Sequence, residues 1–62
     1  MLTMAEMRIV LADDEPLARA IVKEYIEAFP QMNVVQECGD GFEGLKAIMQ
    51  HKPKLVFHQM NT

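Results

Sequence analysis

A chain of 62 residues holds one domain at most, and at that size folding buries only about 60% of the surface the unfolded chain exposes, so stability is marginal. With 50% hydrophobic and 24% charged residues the composition is globular, which excludes a disordered tail or a fibre, and the net charge of -3 with six scattered basic residues argues against direct nucleic-acid binding. Cys38 is the single cysteine, so no internal disulfide can form, and no paired Cys/His spacing suggests zinc.

Residues Met1 to Glu6 contain no cationic region leading into an apolar stretch, and no later run approaches membrane-spanning length. The expectation is a cytoplasmic protein with no membrane contact, in which residues 1–6 are an N-terminal extension and 7–62 a partial domain that ends after a third strand. Met7 to Ala12 is almost continuously apolar, the pattern of a central parallel strand covered on both faces. Pro16 then opens an amphipathic helix. Its apolar stripe is Leu17, Ala18, Ile21, Val22, Tyr25, Ala28 and Phe29, its polar side includes Arg19, Lys23, Glu24 and Glu27, and Pro30 ends it. Val34-Val35, with Met32 before and Glu37-Cys38 after, reads as a shorter second strand whose Gln36 and Glu37 suit a sheet edge. Gly39-Asp40-Gly41 is turn chemistry leading into a second helix striped by Phe42, Leu45, Ile48 and Met49 and ending near His51, a solvated helix-end residue. Leu55-Val56-Phe57 is a third strand. The order strand, helix, strand, helix, strand predicts an α/β fold with a parallel sheet and right-handed crossovers.

Chemistry concentrates at Asp13-Asp14-Glu15-Pro16, where a strand empties into a helix start. In an open α/β sheet, ligands bind beyond the carboxyl ends of the strands, and two adjacent carboxylates there suit a hard cation such as Mg²⁺. The same acids can instead stabilise a helix dipole by roughly 0.3–1 kcal/mol. Gly39-Asp40-Gly41-Phe42-Glu43-Gly44 matches a dinucleotide-binding spacing, but Asp40 and Glu43 put negative charge where a pyrophosphate would sit. Its glycines are better assigned to a turn with positive φ and, at Gly44, a close helix-to-sheet contact. A flavin phosphate loop is missing after the first strand, and with no serine and no patterned histidine pair a catalytic triad is excluded, so no enzyme is expected. The methionines are read as core filling.

Met7 to Arg19, containing Asp13-Asp14-Glu15-Pro16-Leu17-Ala18-Arg19, resembles the opening of a bacterial two-component response-regulator receiver domain, and especially receivers joined to LytTR-type DNA-binding domains. Cys38 to Leu45 is similar to that family's second strand-helix junction, and Lys52 to Phe57 to its third strand. The resemblance spans Met7 to Phe57, the amino-terminal half of a receiver, and implies a truncated flavodoxin-like sheet of order 2-1-3. It implies that Asp13 and Asp14 hold Mg²⁺, weakly, and that a histidine kinase serves the full-length parent in a phosphorelay regulating transcription.

The family's phosphoacceptor aspartate has no counterpart: aligned without a gap its position falls on Gln59, whereas a gapped alignment matches Gln59-Met60 to a later Gln-Met and deletes the acceptor segment. A neutral amide neither attacks phosphorus nor neutralises a cation. A signalling-incompetent fragment or truncated variant is therefore expected. Leu55, Val56 and Phe57 would form an uncovered edge that favours a homo-oligomer, which leaves a small self-associating interaction module as an alternative function. A metal- or dinucleotide-binding enzyme fragment is the third reading.

Overall fold

The computed structural model describes residues 6–59. Most of the expected N-terminal extension, and Met60 of the gapped alignment, lie outside the described residues. Five elements follow in the expected order: β1 (Met7–Asp13), α1 (Pro16–Glu27), β2 (Met32–Cys38), α2 (Gly41–His51) and β3 (Leu55–Gln59). The three strands form one parallel sheet of order β2-β1-β3, as the alternating pattern and the resemblance imply.

β1 is central, and its apolar run is buried in full: Ile9, Val10 and Leu11 are 0% exposed and Ala12 is 1% exposed. Each of the larger three contributes roughly 1.5–3 kcal/mol on burial. Because crossovers are right-handed, stepping from β1 out to β2 and then back across β1 to β3 puts α1 and α2 on opposite faces. Val10 and Ala12 pack with Cys38 and Ala47 on the α2 face, and Val35 joins that cluster. Ile9 and Leu11 point to the other face. The register between β1 and β2 shifts after Ile9, which pairs with Val34 while Val10 pairs with Gln36, so Val35 is an extra residue on the edge strand.

The helices depart from the expected stripes in an informative way. On α1 the half-buried apolar row is Ala18, Val22 and Ile26, whereas Leu17, Ile21 and Tyr25 on the helix and Phe29 beyond it are exposed. An apolar stripe that wide offers two rows, and only the smaller one meets this sheet. On α2 the buried residues are Gly44 and Ala47, while Phe42, Leu45 and Met49 stay exposed. Small residues win there because the helix lies close: a Cβ built on Gly44 would sit 3.4 Å from that of Ala12, the contact expected of that glycine. The positive φ expected in the Gly39-Asp40-Gly41 turn is absent. Asp40 does the turning instead, as an extended N-cap residue whose Oδ1 accepts from the Glu43 amide at 2.8 Å. The left-handed residue is Lys52, at φ 48, closing α2.

α1 stops at Glu27, slightly short of Pro30, with Ala28 as its C-cap. His51 is more than a solvated helix end. Its Nε2 donates to Gln36 Oε1 at 2.8 Å and its Nδ1 lies 3.4 Å from an Arg8 nitrogen, linking α2 to both β2 and β1.

Candidate functional site

Asp13 is the last residue of β1 and Asp14 the bend that follows it, so the sheet itself delivers both carboxylates to its carboxyl edge. Neither caps α1. That role belongs to Glu15, whose Oε1 accepts from the Leu17 amide at 3.2 Å, and the first turn of the helix contains no acid. The helix-dipole explanation for the acid pair is thereby taken up by a neighbour. Asp13 is 3% exposed, a buried carboxyl, and its Oδ1 accepts from the Glu15 amide at 2.9 Å, which bends the chain and fixes the side chain. Asp14 is exposed.

Opposite them stands Gln59. In the parallel ladder Leu11 pairs with Phe57, Ala12 with His58 and Asp13 with Gln59. Asp13, Asp14, Glu15, Ala18, Val22 and Gln59 together line one cleft of about 260 Å³. The structure therefore brings three of the sequence-derived positions to one place. Its donor set is oxygen-rich but uncharged on the β3 side, where Gln59 contributes an amide. Among the described residues no group of three or more His, Cys, Asp or Glu side chains is gathered to hold a metal ion. Two carboxylates and an amide oxygen fit a hard divalent cation only if water supplies most of its coordination.

Arg19 is the residue that the sequence placed on the wrong side. The helical spacing puts it on the polar face of α1, yet it is half-buried and its Nη1 donates to the Asp13 carbonyl oxygen at 2.7 Å. Its Nε lies 3.5 Å from Glu37 Oε1, and Lys23 Nζ holds the other Glu37 oxygen at 2.8 Å. Those contacts with Glu37 raise the Lys23 pKa above its ordinary value. Nearby, burial pushes the Cys38 thiol up, helped by the negative charges of Glu43 and Asp40 and opposed by Arg19, so it stays protonated at neutral pH. The one signal for Arg19 was its spacing: six residues after the end of the strand, on the first turn and a half of the helix, a long cation can reach back to the strand's last carbonyl.

The dinucleotide spacing places no phosphate site. The α2 N-terminus that would receive a pyrophosphate is occupied by the Asp40 carboxylate of this chain. Leu55, Val56 and Phe57 are 44%, 36% and 37% exposed, and neither helix packs on β3 as both do on β1 and β2.

No family model matches the chain. Among curated proteins it is 38% identical over 50 residues to a protein-glutamate methylesterase/protein-glutamine glutaminase of Myxococcus xanthus, covering 81% of this chain and 14% of that one. It is 35% identical over 51 residues to the sensory transduction protein LytT of Enterococcus faecalis, covering 82% of this chain and 21% of that one. Among solved structures it superposes on the signal receiver domain of a NarL response regulator from Mycobacterium tuberculosis with a TM-score of 0.82. That match is 34% identical and covers 86% of this chain and 43% of the other. The chain carries a partial receiver domain. Its sheet order and its place in the response-regulator family are those that the resemblance over Met7 to Phe57 implies. The LytTR output type is not singled out, since the relatives also include a nitrate/nitrite response regulator homolog of Haemophilus influenzae. The chain spans 14% to 27% of the length of these curated relatives.

Proposed function

We propose that this chain is a receiver segment that keeps the family's paired acids but cannot take up a phosphoryl group, because Gln59 stands where the phosphoacceptor aspartate belongs. The observation that carries the reading is the Asp13–Gln59 register in the cleft lined by both acids. It supports the ungapped alignment over the deletion. An uncharged amide at that place is no nucleophile toward phosphorus and adds no charge to a metal site. Asp13 and Asp14 would hold Mg²⁺ weakly, the cation supplying charge neutralisation for an incoming phosphoryl group that this chain has no residue to accept.

The parent response regulator would serve a two-component phosphorelay under a histidine kinase and regulate transcription, in a LytTR-type architecture, in the cytoplasm. No helix among the described residues is long and apolar enough to cross a membrane. With a net charge of -3 and no basic cluster in its sequence, this segment would make no direct nucleic-acid contact. The open side of β3 supports a second reading, self-association: the exposed Leu55, Val56 and Phe57 and the unpaired strand edge would be covered by a second copy of the chain.

The phosphoryl reading is tested by incubating the chain with Mg²⁺ and acetyl phosphate and measuring its intact mass. No added phosphoryl mass is expected. A phosphoryl adduct mapping to Asp13 or Asp14 would overturn the proposal.

A further inference from the structure

We infer that Arg19 is the positioning residue of the acid cleft, holding the end of β1 so that Asp13 and Asp14 present their carboxylates together. This rests on the reading of that cleft as a cation site.

Asp13 ends β1 at a place where the ladder gives out on one side. On β2 the pairing stops with Ala12 and Cys38, so on that side the strand offers no partner to Asp13, a residue only 3% exposed. A buried carbonyl left without a donor costs about 1–3 kcal/mol, and a strand end in that condition is free to twist until water reaches it. Arg19 Nη1 supplies the donor, at 2.7 Å, from one turn into α1. The guanidinium is itself held. Glu37, on β2, lies 3.5 Å from its Nε, and the position of Gly39 leaves room beside it, since a Cβ there would already stand 3.4 Å from Nη1. Main chain and side chain of Asp13 are therefore fixed from two directions, its carbonyl by Arg19 and its Oδ1 by the Glu15 amide. The residue that follows these two anchors is Asp14, so the clamp also sets where the second carboxylate leaves the strand.

Charge alone predicts the opposite role. A guanidinium bonded to the Asp13 carbonyl adds positive charge beside the cleft and repels a divalent cation, and removing it should strengthen metal binding if Arg19 acted only through its field. Positioning and field thus change Mg²⁺ affinity in opposite directions. That difference makes the inference testable.

The experiment uses the full chain with Gln59→Asp, which supplies the third carboxylate and gives the titration a measurable signal, and reads Mg²⁺ affinity by calorimetry and folding by thermal unfolding. In that background Arg19→Lys keeps the charge and Arg19→Met removes it. Both should weaken Mg²⁺ at least about threefold while the unfolding transition persists. Glu37→Gln, which leaves the Asp13 carbonyl contact in place, should change the affinity less than about twofold. Unchanged affinity in Arg19→Lys, or stronger binding in Arg19→Met, would overturn the inference. A measurement without any change at position 19 guards against variants that do not fold: adding Mg²⁺ should shift the Arg19 side-chain N–H resonance along with the Asp13 and Asp14 amides, and a silent Arg19 resonance overturns the inference. If Gln59→Asp itself brings no gain in Mg²⁺ binding over the parent chain, the cation-site reading fails before the role of Arg19 is reached.

Discussion

β1 and β3 are built from similar residues and meet opposite fates. Ile9, Val10, Leu11 and Ala12 are at most 1% exposed, whereas Leu55, Val56 and Phe57 range from 36% to 44%. The difference lies in what surrounds each strand. β1 has a strand on either edge and both helices packed over it, while β3, among the described residues, has β1 on one edge and nothing comparable on its other edge or its faces. An apolar run therefore states what a segment needs. The topology decides whether the need is met within the chain.

Truncation in the central strand should have the largest effect. Leu11→Ala removes a fully buried side chain and should cost about 2–5 kcal/mol, enough to abolish a cooperative unfolding transition in so small a domain. Leu55→Ala on β3 should cost well under half as much, read from urea titrations followed by circular dichroism. Comparable losses at the two positions would erase the contrast between the strands.

A charge on the open strand comes next. Unmodified chain should associate at tens of micromolar, and Phe57→Lys should shift it toward monomer in sedimentation velocity while lowering its melting temperature, because a buried or strand-paired lysine opposes the pairing that covers β3. A well-folded monomer for the unmodified chain would show that β3 needs no cover.

The smallest effect belongs to the covered side of the sheet, where Lys23 on α1 binds Glu37 on β2 at 2.8 Å. Contact with Glu37 raises the Lys23 pKa, so the folded state holds that proton more tightly than the unfolded chain does. Its contribution is fully present below the unfolded value, about 10.4, and is lost as pH rises through the higher folded one. The melting-temperature gap between the parent and Lys23→Met should be constant from neutral pH to about 10 and narrow only as pH rises through the raised folded value of Lys23. Both side chains are over a third exposed, so the gap should be small and should shrink in salt.

The contrast between the strands also marks what the sequence could reveal. Element order and type were legible because the patterns were long and unambiguous: a buried strand ending in acids, a proline at a helix start, glycines and Asp40 before the second helix. Which row of an apolar helix face would pack was not. Ala18, Val22, Ile26, Ala47 and Ile48 meet the sheet and Leu17, Ile21, Tyr25, Phe42 and Leu45 do not, since close helix-to-sheet approach favours a row that begins with small residues, which a hydrophobicity pattern undervalues. The positive φ passed over the glycines to Lys52, because a helix C-cap and a helix N-cap make different demands and Asp40 met the second with its side chain. At the cleft, Asp13 and Asp14 were legible from local order, while Gln59 depended on β1–β3 register and Arg19 on a side chain reaching back across the turn. Those are tertiary facts.

The central claim is that the cleft presents the Asp13 and Asp14 carboxylates, its third lining acid, Glu15, being engaged in capping α1, and, across from Asp13, an amide. Calorimetric titration with Mg²⁺ tests it most directly on three proteins: the parent chain, Asp14→Ala and Gln59→Asp. The account predicts weak binding by the parent, weaker still in Asp14→Ala, and a clear gain of about tenfold or more in Gln59→Asp as a third carboxylate joins the site. Micromolar binding by the parent that disappears in Asp14→Ala would mean that the site is already complete without an acid at position 59, and would contradict it.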